Sequence, residues 1–292
     1  MLRTAAPSHS IPTSRAAWLV AGVLLLATPL CVQAGRAYVT NEDGESVSVL
    51  DTDKAEVVAT VNVGKRPRGL KLSRDGKALY VSNEEGSSVQ EISIADKIIA
   101  REIATGAEPE GIAVTADGKT LYVTSEVTDM VHVIDLAVGA VTDNIVVGTR
   151  PRRFLLLPNS NELWVSNELS GQVSVIDRAT NKVSTTIDFV PPGFRQVDVT
   201  PVGMATTKDG KTAIVALGHA NHVAIVDTAT KKVKDYVLVG TRAWGVALDR
   251  DERVLYVANG LSDDLSVVEM GSHKAIRTVP VGHVPQSVLV DN

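Results

Sequence analysis

The sequence is short of cysteine, of aromatic residues and of positive charge. Of its 292 residues one is cysteine and 4% are aromatic, and the formal net charge is −5. Most nucleic-acid-binding domains are strongly basic, so this charge disfavours nucleic acid as a partner. The remaining composition, 44% hydrophobic and 22% charged, is that of a globular protein long enough to bury a large core.

The N-terminus has the pattern of a secretory signal. Two arginines, Arg3 and Arg15, precede an apolar run over 16–30 that is short for a membrane span, and a small-residue cleavage site, V-Q-A, ends at Ala34. A retained N-terminal anchor is the alternative. We therefore expect a periplasmic protein with a cleaved signal peptide at 1–34 and one mature domain at 35–292, without a membrane span.

Removal of the signal would also remove the one cysteine, Cys31. Residues 1–34 carry two arginines and no acidic residue, so the remainder has 27 basic and 34 acidic side chains and a net charge of −7. A chain without cysteine excludes a disulfide, a thiol nucleophile, a cysteine-ligated metal centre and a thioether-linked haem. Its stability must then come from its core and its topology.

One segment recurs six times along the rest of the chain. Its copies start 42, 42, 42, 50 and 42 residues apart. They are YVTNEDGESVSVLD (38–51), YVSNEEGSSVQEIS (80–93), YVTSEVTDMVHVID (122–135), WVSNELSGQVSVID (164–177), IVALGHANHVAIVD (214–227) and YVANGLSDDLSVVE (256–269). With their flanks, the units each hold four short apolar runs and no helical periodicity.

A repeated four-stranded unit of about 40–45 residues is typical of a propeller blade. We predict an all-β propeller of six four-stranded blades, with a solenoid as the alternative. D-G-K segments between apolar runs, such as 75–77, predict tight type I′ hairpin turns. Residues 36–64 supply three strands of one blade and 285–290 supply its innermost strand, so pairing of the chain ends would close the ring.

The copy YVTN at 38–41, with the V-x-V-I-D segments and D-G-K turns at fixed offsets, resembles the YVTN-family β-propeller repeat. The runs over 201–227, 124–135 and 240–249 are similar to β-propeller proteins associated with catabolism that depends on pyrroloquinoline quinone (PQQ). That resemblance implies a periplasmic protein accessory to PQQ-dependent alcohol oxidation. It also implies seven blades, one more than the six copies counted here.

The loops at one end of the predicted propeller vary from blade to blade, as binding loops on a rigid scaffold do. With strands named a to d from the axis outward, these are the b–c and d–a loops. Four consecutive b–c loops carry glutamate at the same position: Glu42, Glu84, Glu126 and Glu168. We predict an arc of carboxylates that binds a cation or a protein partner. The alternative is that each carboxylate pairs with a neighbouring basic loop.

Arginines cluster in the d–a loops, which lead into the axial strands. They are Arg66, Arg68, Arg150, Arg152, Arg153, Arg195 and Arg242. Trp244 lies in the same class of loop. Arginine binds carboxylates bidentately and tryptophan stacks on planar rings, so we predict that these residues bind a small anionic ligand such as PQQ. Alternatively, the arginines only balance the glutamates, including Glu108 and Glu110.

Two further features lie in the fifth unit. An eight-residue insertion lengthens its d–a loop over 189–201 and brings in Phe189 and Phe194. It predicts a lid or a docking element, with a plug between blades as the alternative. His219 and His222 form H-x-x-H across a b–c loop, a candidate metal pair without a third ligand evident in the sequence. Elsewhere, His132 is expected to be an exposed residue of strand c.

These patterns give one main hypothesis and two alternatives. The main hypothesis is a non-enzymatic periplasmic binding or scaffold propeller, accessory to PQQ-dependent oxidation, that holds an anionic ligand or a protein partner. The first alternative is a metal-dependent, lactonase-like hydrolase with its site at the axis, and the second is a single-stranded DNA-binding propeller. No G-x-S-x-G, H-E-x-x-H or glycine-rich phosphate loop is present. PQQ and a divalent metal are the two candidate cofactors.

Overall fold

The computed structural model describes Met1, 36–51, 56–288 and 290, which form six antiparallel β-sheets. Five sheets have four strands, and the sheet nearest the N-terminus has three. The predicted all-β, six-bladed propeller is confirmed. Apart from Met1, the expected signal peptide lies outside the described residues. Among the described residues, no helix has the length and apolar character needed to cross a membrane.

Each sheet is made from consecutive strands, and we number the sheets as blades 1 to 6 in chain order. The strands are β1 (Arg36–Asn41), β2 (Ser46–Asp51) and β3 (Glu56–Asn62) in blade 1; β4 (Pro67–Leu72), β5 (Ala78–Asn83), β6 (Ser88–Ser93) and β7 (Ile98–Ala104) in blade 2; β8 (Pro109–Val114), β9 (Thr120–Ser125), β10 (Met130–Asp135) and β11 (Ala140–Val146) in blade 3; β12 (Pro151–Leu156), β13 (Glu162–Asn167), β14 (Gln172–Asp177) and β15 (Lys182–Asp188) in blade 4; β16 (Met204–Thr206), β17 (Thr212–Ala216), β18 (His222–Asp227) and β19 (Val233–Leu238) in blade 5; and β20 (Ala243–Leu248), β21 (Val254–Asn259), β22 (Asp264–Glu269) and β23 (Lys274–Pro280) in blade 6. A short 3₁₀ helix, η1 (Gln196–Asp198), lies in the insertion.

Burial follows the order of strands within a blade. The first strands of blades 2 to 6 contact one another in turn and therefore surround the axis. The second strands are buried on both faces, as in Leu79-Tyr80-Val81 of β5, because other blades cover them. The last strands face solvent, and Val57 and Val58 of β3 are exposed. The core therefore lies between blades, and the first strands are left to build an axial site.

The D-G-K turns differ from the type I′ geometry that the sequence predicts. Only the glycine has a positive φ, +69° at Gly76, whereas type I′ needs positive φ at both central residues. Asp75 stays in ordinary backbone geometry because its Oδ1 accepts hydrogen bonds from the Ser73 hydroxyl (2.7 Å) and the Lys77 amide (3.1 Å). The hydrogen bonds of the Asp75 side chain therefore help to close the turn.

A hydroxyl on each of several second strands joins neighbouring blades near the axis. The Ser82 hydroxyl accepts from the Gly69 amide (2.8 Å) and donates to the Glu110 carbonyl of the next blade (2.7 Å). Gly69 has no side chain at this point, and a Cβ there would collide with that carbonyl. Thr124 repeats the arrangement between Gly111 and the carbonyl of Arg152. These contacts fix the positions of the first-strand residues along the propeller axis.

Replacing Ser82 by alanine is expected to lower the free energy of unfolding by about 1–3 kcal/mol, because a buried amide and a buried carbonyl lose their partner. Urea unfolding of wild type and variant measures the difference. Ser272→Ala is the matched control, since Ser272 is exposed and its hydroxyl bonds only to Glu269 in the described structure. Equal losses in both variants would show that the link between blades adds nothing.

Three local predictions differ from the structure or stay open. His132 is buried rather than exposed, because its Nδ1 bonds to Asn144 Oδ1 (2.5 Å) and its ring lies against Gly106. Phe189 of the insertion is fully buried in the core, as a plug between blades would be. Residues 281–288 form no strand, although Gln286 lies beside Gly245 of β20. Leu289 and 291–292 are not described, so closure by pairing of the chain ends stays a prediction.

Candidate functional site

Strained d–a loops place arginines at the rim of the axis. Arg66, Arg150 and Arg242 all have left-handed backbones, with φ of 51°, 59° and 62°, a conformation that is costly for a residue with a side chain. Hydrogen bonds hold it: the Arg150 amide donates to Asp129 Oδ1 (2.9 Å), and the Arg242 amide donates to Asn221 Oδ1 (2.8 Å). The loops are therefore fixed before any ligand arrives.

One group of charges, which we call the Arg66 cluster, comprises Glu42, Arg66, Arg68 and Glu84. Glu42 accepts from Arg66 through Oε1 (2.9 Å) and from Arg68 through Oε2 (2.8 Å). Glu84 lies 2.6 Å from Arg68 through Oε2 and 3.1 Å from Arg66 through Oε1. Every carboxylate oxygen in this cluster already has a guanidinium partner, so the cluster is closed.

A second group lies on the neighbouring blades. The Arg152 cluster comprises Glu110, Glu126, Arg150, Arg152, Arg153 and Glu168. Its centre is Arg152, whose side chain is 8% exposed and contacts all three carboxylates. Glu110 lies 2.6 Å from Arg152 and 2.7 Å from Arg153, and Glu126 pairs with both Arg150 and Arg152. Three positive and three negative charges balance here.

The Arg152 cluster differs from the Arg66 cluster because it contains unsatisfied atoms. Glu168 Oε2 lies 3.4 Å from the Nε atoms of both Arg150 and Arg152. Three buried atoms of the cluster have no hydrogen-bond partner among the described residues: Glu168 Oε2, Arg152 Nε and Glu110 Oε2. Buried polar atoms normally have partners, so the hydrogen bonding of this cluster is incomplete.

Burial and neighbouring charge change the acidity of these arginines. Burial lowers the pKa of Arg152, outweighing the opposite effect of Glu168 and Glu126. Burial, and then the charges of Arg152 and Arg68, lower the pKa of Arg153 to about 10. The Arg153 side chain is nevertheless 37% accessible. Burial also lowers the pKa of Arg150, but its hydrogen bond to Glu126 and the charge of Glu168 raise it above its usual value. All three arginines remain cations at neutral pH.

Trp244 lies next to this cluster across the axis. The Arg242 guanidinium carbon is 4.4 Å from the centre of its ring, and that of Arg152 is 5.9 Å away. Such contacts hold the cations over the ring face. Within the described part of the chain, Arg242 has no carboxylate within ion-pair distance, unlike Arg66 and Arg150. It is the arginine best able to receive an anion.

Other predicted site residues lie apart from the Arg152 cluster. Arg195 is 77% exposed and pairs with Asp198 inside the insertion. His219 is exposed, whereas His222 is buried with Nδ1 bonded to the Ala220 carbonyl (2.6 Å) and its ring edge-on to Phe194. Among the described residues, no group of three or more His, Cys, Asp or Glu could hold a metal ion. The metal role predicted for the two histidines therefore gains no third ligand.

Sequence reasoning named Glu110 only as a balancing charge, yet its carboxylate contacts two arginines of the Arg152 cluster. The position of Glu110 in the repeat could have indicated this role. Arg68, Glu110 and Arg152 each follow the proline that opens a first strand. A concavity of about 580 Å³ also lies on the opposite face, between Asp75, Tyr80 and Glu91. It is formed largely by turn residues, and its lining holds none of the unsatisfied buried atoms found among the described residues.

Solved structures with similar folds support this architecture. Hydrazine synthase of Kuenenia stuttgartiensis matches with a TM-score of 0.77 and 22% identity, over 86% of this chain and 85% of that chain. The periplasmic gluconolactonase of Pseudomonas aeruginosa matches with a TM-score of 0.73 and 22% identity, over 85% and 83%. A functionally unknown protein from Desulfotomaculum acetoxidans matches with a TM-score of 0.72 and 16% identity, over 86% and 84%. At these identities the likeness shows the fold alone. No curated protein matches the sequence.

A protein family also matches the sequence itself. The family "Lactonase, 7-bladed beta-propeller" matches over residues 91–190 and 140–286, about two thirds of the chain in total. The main sequence hypothesis, a non-enzymatic scaffold accessory to PQQ-dependent oxidation, is wrong, since this match favours the lactonase-like alternative. The finer resemblances to the YVTN repeat and to PQQ-associated propellers are not shown. The described residues form six blades, whereas the family description names seven. Because the family match covers about two thirds of the sequence, the chain belongs to the lactonase family of β-propellers.

Proposed function

We propose that this protein hydrolyses lactones at the rim end of its axis, with the Arg152 cluster as the reaction centre. The observation that carries the proposal is the incomplete hydrogen bonding of this cluster, above all at Glu168 Oε2 and Arg152 Nε, which lie 3.4 Å apart. Membership of a lactonase family supports the same activity. So does the printed activity of one structural neighbour, a gluconolactonase.

The cluster offers the two groups that lactone hydrolysis needs. Glu168 is the general base: its carboxylate accepts a proton from a water molecule, whose oxygen then attacks the lactone carbonyl carbon. Arg150, 43% exposed at the mouth, donates to the carbonyl oxygen as negative charge develops on it. The ring carbon–oxygen bond then breaks, and the released alkoxide takes the proton to give a hydroxy acid. Arg242 lies near enough to the rim to receive the new carboxylate.

The sequence alternative called for a metal ion, and the residues present do not fit one. No group of three or more metal-binding side chains is found in the described parts of the chain. The three carboxylates of the Arg152 cluster are already balanced by three guanidinium groups, which compete with a cation. We therefore derive no step through a metal.

Acid release in a pH-stat tests the proposal, with D-glucono-δ-lactone and γ-butyrolactone as probes and the spontaneous rate subtracted. Chelator-treated protein is expected to show saturable hydrolysis at least about a hundredfold above the spontaneous rate, the lower end of what a positioned base contributes. Activity that disappears with chelator and returns with a divalent metal would overturn the metal-free site. No activity with either lactone, or with a longer series, would contradict the proposed function.

The same proposal includes a periplasmic location and a cleaved signal at 1–34. The N-terminal pattern supports it, and one of the similar structures is described as periplasmic. Mass spectrometry of protein isolated from its own cells is expected to give a chain that begins at Gly35. A full-length mass would favour the retained anchor.

A further inference from the structure

The axis next to the Arg152 cluster contains two cavities that share part of their lining. One, of about 410 Å³, is lined by residues of blades 1 to 4 and by Ser287. The other, of about 170 Å³, is lined by residues of blades 4 to 6 and by 286–288. Arg153, Phe154 and Ser287 line both cavities. The larger cavity is within the size range of small-molecule sites.

The walls of these cavities include a row of apolar side chains. Leu70, Ile112, Phe154, Met204 and Val246 occupy the same register of five consecutive first strands. Each is half-buried, packing with one side against the core of its blade. The other side lines the axis.

Glycine occupies the position just before this apolar row in four of the five repeats, where a Cβ would meet the backbone of the neighbouring segment. Gly69 and Gly111 line the larger cavity, and Gly203 and Gly245 line the smaller one. Tyr38, Thr40 and Ser287 also line the larger cavity, and the Thr40 hydroxyl already donates to the Arg68 carbonyl (3.2 Å). The row of Leu70, Ile112 and Phe154 itself offers no side-chain hydrogen bond. A polyhydroxylated substituent would leave hydroxyl groups unpaired there, whereas an aliphatic one would bury its surface favourably.

We propose that the axial cavity selects lactones with an aliphatic or aromatic substituent, which extends along Leu70, Ile112 and Phe154 while the ring meets the Arg152 cluster. This inference rests on the proposed function and names its substrate class. The Phe154 ring is held by Tyr122, whose ring centre is 6.4 Å away, so the wall is preformed. The charged mouth and apolar wall together fit an amphiphilic molecule with its polar end toward the rim.

A homologous series of lactones tests this selection. We expect kcat/KM to rise about threefold to fourfold per methylene from γ-butyrolactone through γ-hexanolactone and γ-octanolactone, until the cavity is filled. Flat or falling values, with D-glucono-δ-lactone hydrolysed, would overturn the inference while leaving the proposed function intact. If no lactone is hydrolysed, the proposed function fails and calorimetry with γ-octanolactone decides on the cavity. Saturable binding would support the apolar site, and absence of binding would overturn it.

A pair of variants assigns the effect to the wall. Leu70→Asn keeps a similar side-chain shape and adds a polar group to the larger cavity. It is expected to lower the ratio of kcat/KM for γ-octanolactone to that for γ-butyrolactone about tenfold, and to weaken γ-octanolactone binding in calorimetry. Leu238→Asn, on an exposed outer strand, is the control and leaves both unchanged. Equal effects in the two variants, at equal melting temperatures, would contradict a wall contact.

Discussion

Replacing Glu168 by glutamine is expected to lower kcat for lactone hydrolysis by about 10²–10⁴-fold, the range that a positioned general base contributes. Glutamine keeps the shape of the side chain but cannot take a proton from water. Because the Glu168 side chain is only 6% exposed, bulk water cannot easily substitute for it. The rate of acid release at saturating lactone measures the loss, and circular dichroism checks the fold.

The repeat supplies a matched control for this variant. Glu42 occupies the same b–c position in blade 1 and also contacts two arginines, but both of its oxygens are used within the closed Arg66 cluster. Glu42→Gln is expected to change kcat less than about fivefold, since it removes a partly exposed ion pair. Equal losses in both variants would mean that the charge of the rim matters and that Glu168 has no special role.

Arg152→Met is expected to lower the free energy of unfolding by about 3–5 kcal/mol, because it leaves buried carboxylates without their central partner. Glu110 and Glu126 would then repel each other across the space that the guanidinium filled. Arg253→Met is the control, as Arg253 is 78% exposed and pairs with Asp251 on the opposite face. Removing such a pair costs at most about 1 kcal/mol.

Denaturant unfolding distinguishes these expectations, with the two variants compared at the same pH and salt. A loss below about 1 kcal/mol for Arg152→Met would show that the cluster relaxes and admits water when its centre is removed. That result would contradict a preformed Arg152 cluster, and with it the argument that the unsatisfied atoms of Glu168 and Arg152 are held ready for a ligand.

The repeat made the blades predictable from the sequence. It predicted the positions of the charged residues of the site only in part. Six copies at nearly constant spacing leave little freedom in strand order, because each copy must bury the same residues against its neighbours. Because Glu126 and Glu168 occupy the same position of the repeat, the sequence alone predicted that both lie on one rim. The repeat could not say which arginines each would meet, since those contacts join different blades.

The features missed from sequence are those in which one blade departs from the others. Arg153 stands where Gly69 and Gly111 stand in the preceding first strands, and its side chain lines the same axial cavity as these glycines. His132 looked exposed because the equivalent residue elsewhere is often serine, yet it is buried beside Gly106. Such differences depend on distances between blades, which a repeat pattern does not contain.

The most direct test of this account is one ratio of rates in chelator-treated protein: kcat of Glu42→Gln divided by kcat of Glu168→Gln. If lactone hydrolysis takes place at the Arg152 cluster with Glu168 as base, the ratio is expected to be at least about 20, given the losses expected for the two variants. A ratio near one, with the wild type active, would place the chemistry elsewhere in the propeller and contradict the central claim.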